Sequence, residues 1–145
     1  MPVTDQQAAA LRAQLAGDLA GHKRLLASLD GAADGRGYSA LLTAAFYNAV
    51  DSRFSRDSTM DEVTGFVAGV RARSEGARDA LNPQTAERVV VSAFTSDDLD
   101  DLDAAELTRT KMMLLAGIIA DEHLDGAGLD EFIARARALA DELLS

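Results

Sequence analysis

Met112-Met113-Leu114-Leu115-Ala116-Gly117-Ile118-Ile119-Ala120 is an unbroken apolar run in a chain whose formal net charge is -10. A bilayer-spanning helix needs roughly 20 such residues, so this run is too short to cross a membrane and instead predicts a helix buried on all sides. Its flanks set the bounds. Asp103 and Glu106 stand at capping-box spacing, with Leu102 and Leu107 placed as a hydrophobic staple, which starts the helix near Ala104. Asp125-Gly126-Ala127-Gly128 follows it. A central apolar helix over about 104–123 implies an all-α fold.

Working outward, the same periodicity recurs. Ala8, Leu11, Leu15, Leu19, His22, Leu26 and Leu29 fall at steps of three and four, predicting one long amphipathic helix over about 4–29. Asp30 to Gly37 is rich in glycine and aspartate and reads as a flexible loop. A second helix over 38–54 carries Leu41, Leu42, Ala45, Phe46, Ala49, Val50 and Phe54 on one face. Thr59 and Glu62 open a third, expected to run to about Leu81 with Val63, Phe66, Val67 and Val70 inside. Asn82-Pro83 opens the fourth, because Asn caps free amides and Pro loses no hydrogen bond at the first helical position. The last helix, about 129–144, presents Phe132, Ile133, Ala136, Leu139, Ala140 and Leu143 and pairs with its predecessor as an antiparallel hairpin. The expectation is a compact bundle of about six helices forming a single domain over residues 1–145.

Composition narrows the function classes. Asp and Glu outnumber Lys and Arg by 24 to 14, which repels phosphate backbones and anionic lipid and argues against nucleic-acid and membrane partners. With no cysteine there is neither a disulfide framework nor a thiolate nucleophile. The opening Met-Pro-Val-Thr-Asp-Gln-Gln lacks the basic and apolar regions of a signal peptide, so a cytoplasmic location is expected. No nucleophile elbow, phosphate loop, dinucleotide fingerprint or Glu-x-x-His di-iron spacing is present, which points away from an enzyme and from a bound cofactor.

Four features bear on sites. Asp121, His123, Asp125 and Glu131 place donors across an inter-helix loop in the manner of a calcium loop. His123 replaces a carboxylate, however, and the closing bidentate position falls on Phe132, so a glycine-terminated helix, a turn and an acidic first turn account for the segment better than a metal site does. The cluster Asp97, Asp98, Asp100, Asp101 and Asp103 reads as a solvated loop and cap. His22 lies on an apolar stripe with Asp18 one turn before it and reads as a packed neutral imidazole with one hydrogen bond. The basic residues Arg53, Arg56, Arg71, Arg73, Arg78 and Arg88 are interleaved with acids, as surface ion pairs require.

The segments Ala44-Ala45-Phe46-Tyr47-Asn48-Ala49-Val50, Val63-Thr64-Gly65-Phe66-Val67-Ala68-Gly69-Val70-Arg71 and Asn82-Pro83-Gln84-Thr85-Ala86-Glu87-Arg88 resemble small uncharacterised actinobacterial helical proteins. That resemblance implies an all-helical cytoplasmic protein of unknown function and supplies no site residues. The helix, Asp125-Gly126 loop, helix arrangement is similar to tellurite-resistance-type acidic helical domains, which implies metal or small-molecule binding. The reading favoured by the residues themselves is a noncatalytic interaction module forming a homodimer through the long first helix. The alternative is an acidic domain binding a metal or small molecule at Asp121 to Glu131.

Overall fold

The computed structural model describes residues 2–29, 31–55, 57–95 and 99–144, apart from the side chains of 31–34. Asp30, Arg56, Asp97 and Asp98 of the sequence reading lie outside the described residues. Among those described, the secondary structure is entirely helical, with eight helices where six were expected: α1 Asp5–Leu15, α2 Leu19–Ser28, α3 Gly31–Arg53, α4 Met60–Arg71, α5 Glu75–Ala80, α6 Pro83–Ser92, α7 Ala104–Glu122 and α8 Gly126–Leu144. None of them is long and apolar enough to cross a membrane.

Both extra helices come from breaks inside expected helices. Gly17 adopts φ 84°, a left-handed conformation that glycine takes without steric cost, and Asp18 then caps α2 by accepting the Gly21 N–H. The apolar stripe continues in phase across this break, which is why periodicity alone joins α1 to α2. Likewise Ser74 accepts the Ala77 N–H and starts α5 after the turn at Ala72-Arg73. The expected loop before Tyr38 is also corrected, since α3 begins at Gly31. The reason is visible at Gly37, which is buried against Gln7 of α1: a Cβ there would overlap the Gln7 amide. Glycine serves close helix approach at this position and does not form a turn.

The chain divides into two compact units, Met1–Asn48 with Ile119–Ser145, and Ala49–Ile118. In the first, Thr4 and Gln7 form a reciprocal capping box at the start of α1. Arg137 of α8 donates to the Val3 carbonyl and pairs with Asp5, while Asp141 accepts the Val3 N–H, so the N-terminal segment is tied to α8. Val3, Ala10, Leu11, Leu41, Leu42 and Phe46 are buried here, and a buried side chain of Leu or Phe size contributes roughly 1.5–3 kcal/mol.

In the second unit α4 packs on α5 and α6. Val63, Phe66, Val67 and Val70 of α4 and Ala86, Val89 and Val90 of α6 are buried. Phe54 meets Phe66 edge-on at 5.5 Å and Phe94 at 6.5 Å, arrangements in which ring edge faces ring face. The Arg53 guanidinium lies 4.8 Å from the Phe66 ring centre. Asn82 accepts the Thr85 N–H with Pro83 in the first turn of α6, and Asp103 accepts the Glu106 N–H at the start of α7, as their spacings require. Within the apolar run of α7, Leu114, Leu115, Ile118 and Ile119 are buried, whereas Met112, Met113 and Ala116 are half-buried and Ala120 is exposed. The helix is therefore buried on most of its circumference and not on all sides.

Candidate functional site

The acidic inter-helix segment is built by the end of α7 and the start of α8. Asp121 is exposed in the last turn of α7. His123 follows the helix with φ 51°, the left-handed conformation common just past a helix terminus. Asp125 is the cap of α8: its Oδ1 accepts the Gly128 N–H at 2.6 Å while its carbonyl accepts the Leu129 N–H. Glu131 pairs with Arg135 one turn on, at 2.6 Å. Between them, Asp130 receives the Arg12 guanidinium of α1, which also donates to the Gly126 carbonyl.

His123 and Asp125, with Arg12, Leu15, Leu124 and Leu129, line a cavity of about 280 Å³. Two of the four sequence-selected residues thus share one wall, while Asp121 and Glu131 do not line it. Among the described residues no group of three or more His, Cys, Asp or Glu side chains is arranged to hold a metal ion. What the segment does chemically is join helices. A carboxylate caps the α8 amides, and a guanidinium from α1 straps the first turn of α8. Arg12 lies more than a hundred residues away along the chain, and nothing in its local sequence announces this contact.

His22 behaves as expected for a packed imidazole. Its Nδ1 lies 2.7 Å from the Ala10 carbonyl, and because a carbonyl only accepts, Nδ1 carries the proton and links α2 to α1. The rest of α2 is unusually exposed. Gly21 is its only buried residue, while Leu19 is 61% and Leu26 37% exposed. The two leucines are seven residues apart, two helical turns, and so occupy one face, with Lys23 between them. Leucine and lysine types at that spacing were legible in the sequence. Their exposure was not, since the same stripe reads as core.

Among the described residues, three groups titrate away from their ordinary ranges. Burial pushes the Tyr38 phenol up to about 12, and its hydroxyl has no hydrogen-bond partner among the described residues. Burial lowers the Lys111 ammonium. Arg88, which grips Asp101 with two 2.8 Å hydrogen bonds, holds that exposed carboxyl below the usual range. None of these groups belongs to the acidic inter-helix segment. Comparison with known proteins finds no matching family model, no matching curated protein and no matching solved structure.

Proposed function

We propose that this protein is a noncatalytic, cytoplasmic helical module that self-associates through α2. The observation that carries the reading is the exposure of Leu19 and Leu26 on one face of a helix whose only buried residue is Gly21. Apolar area left in water is the usual mark of a surface that another protein covers. Charge selects a second copy as the occupant. From Leu19 to Ser28 the helix carries Lys23 and Arg24 and no acid, in a chain whose net charge is -10. Each copy therefore presents a cationic, leucine-bearing helix and an acidic remainder, and a two-fold arrangement lets α2 of each rest on the acidic surface of the other. The engagement of Asp125 in capping and of Glu131 with Arg135 supports this reading over cation binding at the acidic segment.

The test is light scattering coupled to size exclusion over a wide concentration range, in EDTA and then with added divalent cations. A dimer indifferent to metal is expected, and the double variant Leu19→Glu/Leu26→Glu is expected to be monomeric with an unchanged circular dichroism spectrum. A wild-type monomer throughout, or a double variant that still dimerises, overturns the proposal. A cation-dependent assembly state transfers the function to the Asp121 to Glu131 segment.

A further inference from the structure

The cavity of about 280 Å³ at the junction of α7 and α8 lies in the first unit, as α2 does. It is smaller than the roughly 300–1,000 Å³ of most small-molecule sites and has room for a leucine side chain. Leu15, Ile119, Leu124 and Leu129 supply its apolar lining, and Leu124 is itself 36% exposed. Of its polar side chains, Arg12 is held by Asp130 and the Gly126 carbonyl, and Asp125 by the Gly128 N–H, while His123 stands at the left-handed turn.

The surroundings are acidic. From Asp121 to Glu131 the chain carries five acids and neither lysine nor arginine, and the segment stays net negative with Arg12 and Arg135 paired into it. The exposed side of α2 has the complementary character. Lys23 is exposed one turn from both Leu19 and Leu26, on the face that carries them. Leucine and cavity are also close along the chain: Leu15 and Ala16 line the cavity at the end of α1, and Leu19 opens α2 just after the left-handed Gly17 and the Asp18 cap. Leu19 nevertheless does not line the cavity of its own copy and is 61% exposed.

We propose that Leu19 of one copy enters the α7–α8 cavity of a second copy, with Lys23 lying over the acidic segment from Asp121 to Glu131. The inference rests on self-association through α2 and names the surface that α2 meets. A leucine anchor in a pocket, ringed by complementary charge, is the arrangement that concentrates binding energy at an interface. Because leucine and cavity are separated by a single turn of chain, a two-fold axis forms the contact twice.

The test is light scattering over a concentration series with variants of both sides. Ala120→Trp, at an exposed lining position of α7, fills the cavity and is expected to weaken dimerisation at least about tenfold, and Ala16→Trp, at the exposed cap of α1, is the second filling variant in case the first does not fold. Lys23→Glu is expected to weaken it about tenfold at low salt and less at high salt. Mixing distinguishes the two partners of one contact. Leu19→Glu/Leu26→Glu keeps the cavity and Ala120→Trp keeps the leucines, so a mixed pair retains one intact contact and places both defects on the other. A one-to-one complex at least about tenfold tighter than either variant forms alone is expected. Wild-type dimerisation in a folded filling variant, alongside a monomeric Leu19→Glu/Leu26→Glu, overturns this inference and leaves self-association through α2 standing. A mixture no tighter than its components also overturns it, and a wild-type monomer removes both readings.

Discussion

The Gln7 side-chain amide of α1 occupies the space that a Cβ at Gly37 of α3 would need: that atom would stand 2.7 Å from Gln7 Oε1 and 2.8 Å from its Cδ. Gln7 has little room to give, being 2% exposed and already accepting the Thr4 N–H in the capping box. Alanine is the better helix former by about 1 kcal/mol, but overpacking costs about 1–3 kcal/mol, so Gly37→Ala is expected to destabilise the protein by about 1–2 kcal/mol. Gly35, on the same helix with no atom within 4 Å of its would-be Cβ, is the control, and Gly35→Ala should gain up to about 1 kcal/mol. Thermal melts of the two variants decide. If Gly37→Ala melts as high as Gly35→Ala, the close approach of α1 and α3 is not what requires glycine.

Asp125 distinguishes capping from metal ligation. Loss of the bond to the Gly128 N–H should cost Asp125→Ala about 1 kcal/mol, the typical value for an N-cap carboxylate. The deficit is expected to be the same in EDTA and in millimolar calcium, because the carboxylate serves the helix and not an ion. A wild-type melting temperature that rises with calcium, together with a variant that does not respond, would show ligation instead.

The starts of α6 and α7 were legible because Asn82-Pro83 and Asp103-Ala104-Ala105-Glu106 act on their own backbone amides, a purely local matter. The buried faces of α3 and α4 were legible for a similar reason, since leucine, valine and phenylalanine at helical spacing have one economical arrangement. The end of α1 was obscured because Leu15 and Leu19 keep the stripe in phase across Gly17. Gly31 to Gly37 misled in the opposite direction: glycine content suggests a turn, whereas the requirement at Gly37 is set by a side chain thirty residues earlier. The sites followed the same division. Asp125 and Glu131 could be picked out by type, but whether they cap, pair or ligate depends on Gly128, Arg135 and Arg12 in three dimensions. Ser55, Ser58 and Val63 line one cavity of about 770 Å³ together with Val91 and Phe94, stretches with no shared motif.

Tyr38 predicts an alkaline transition. Its phenol ionises near 12 in the folded protein against an ordinary 10.0, because burial penalises the phenolate. Between those values the unfolded chain releases a proton that the folded chain keeps, so stability is full below about pH 10 and falls as pH rises toward about 12. Tyr38→Phe removes this loss and, by deleting a buried hydroxyl without a partner among the described residues, should be neutral or stabilising by up to about 1 kcal/mol at pH 7. Urea unfolding at pH 7 and pH 11 measures both effects. An identical decline in the variant would assign the alkaline sensitivity to other groups.

Gly117 interrupts the apolar run of α7 for a steric reason. A Cβ there would stand 2.7 Å from Val70 Cγ2 and 3.6 Å from the Phe66 ring, so α4 and α7 meet where only a hydrogen fits. Valine is β-branched and holds one preferred rotamer in a helix, which prevents Cγ2 from swinging clear. Gly117→Ala is therefore expected to cost about 1–3 kcal/mol despite its better helix propensity. Val70→Ala alone leaves a small void and is also destabilising. Together the two changes exchange one contact for another, since the alanine methyl enters the space vacated by valine. The double variant should then recover about 1 kcal/mol or more relative to the sum of the single losses. A double-mutant cycle in urea that returns strictly additive losses would mean that α7 accommodates the extra carbon by shifting away from α4 as a whole. In that event the glycine in the middle of the apolar run would have no packing requirement at Val70.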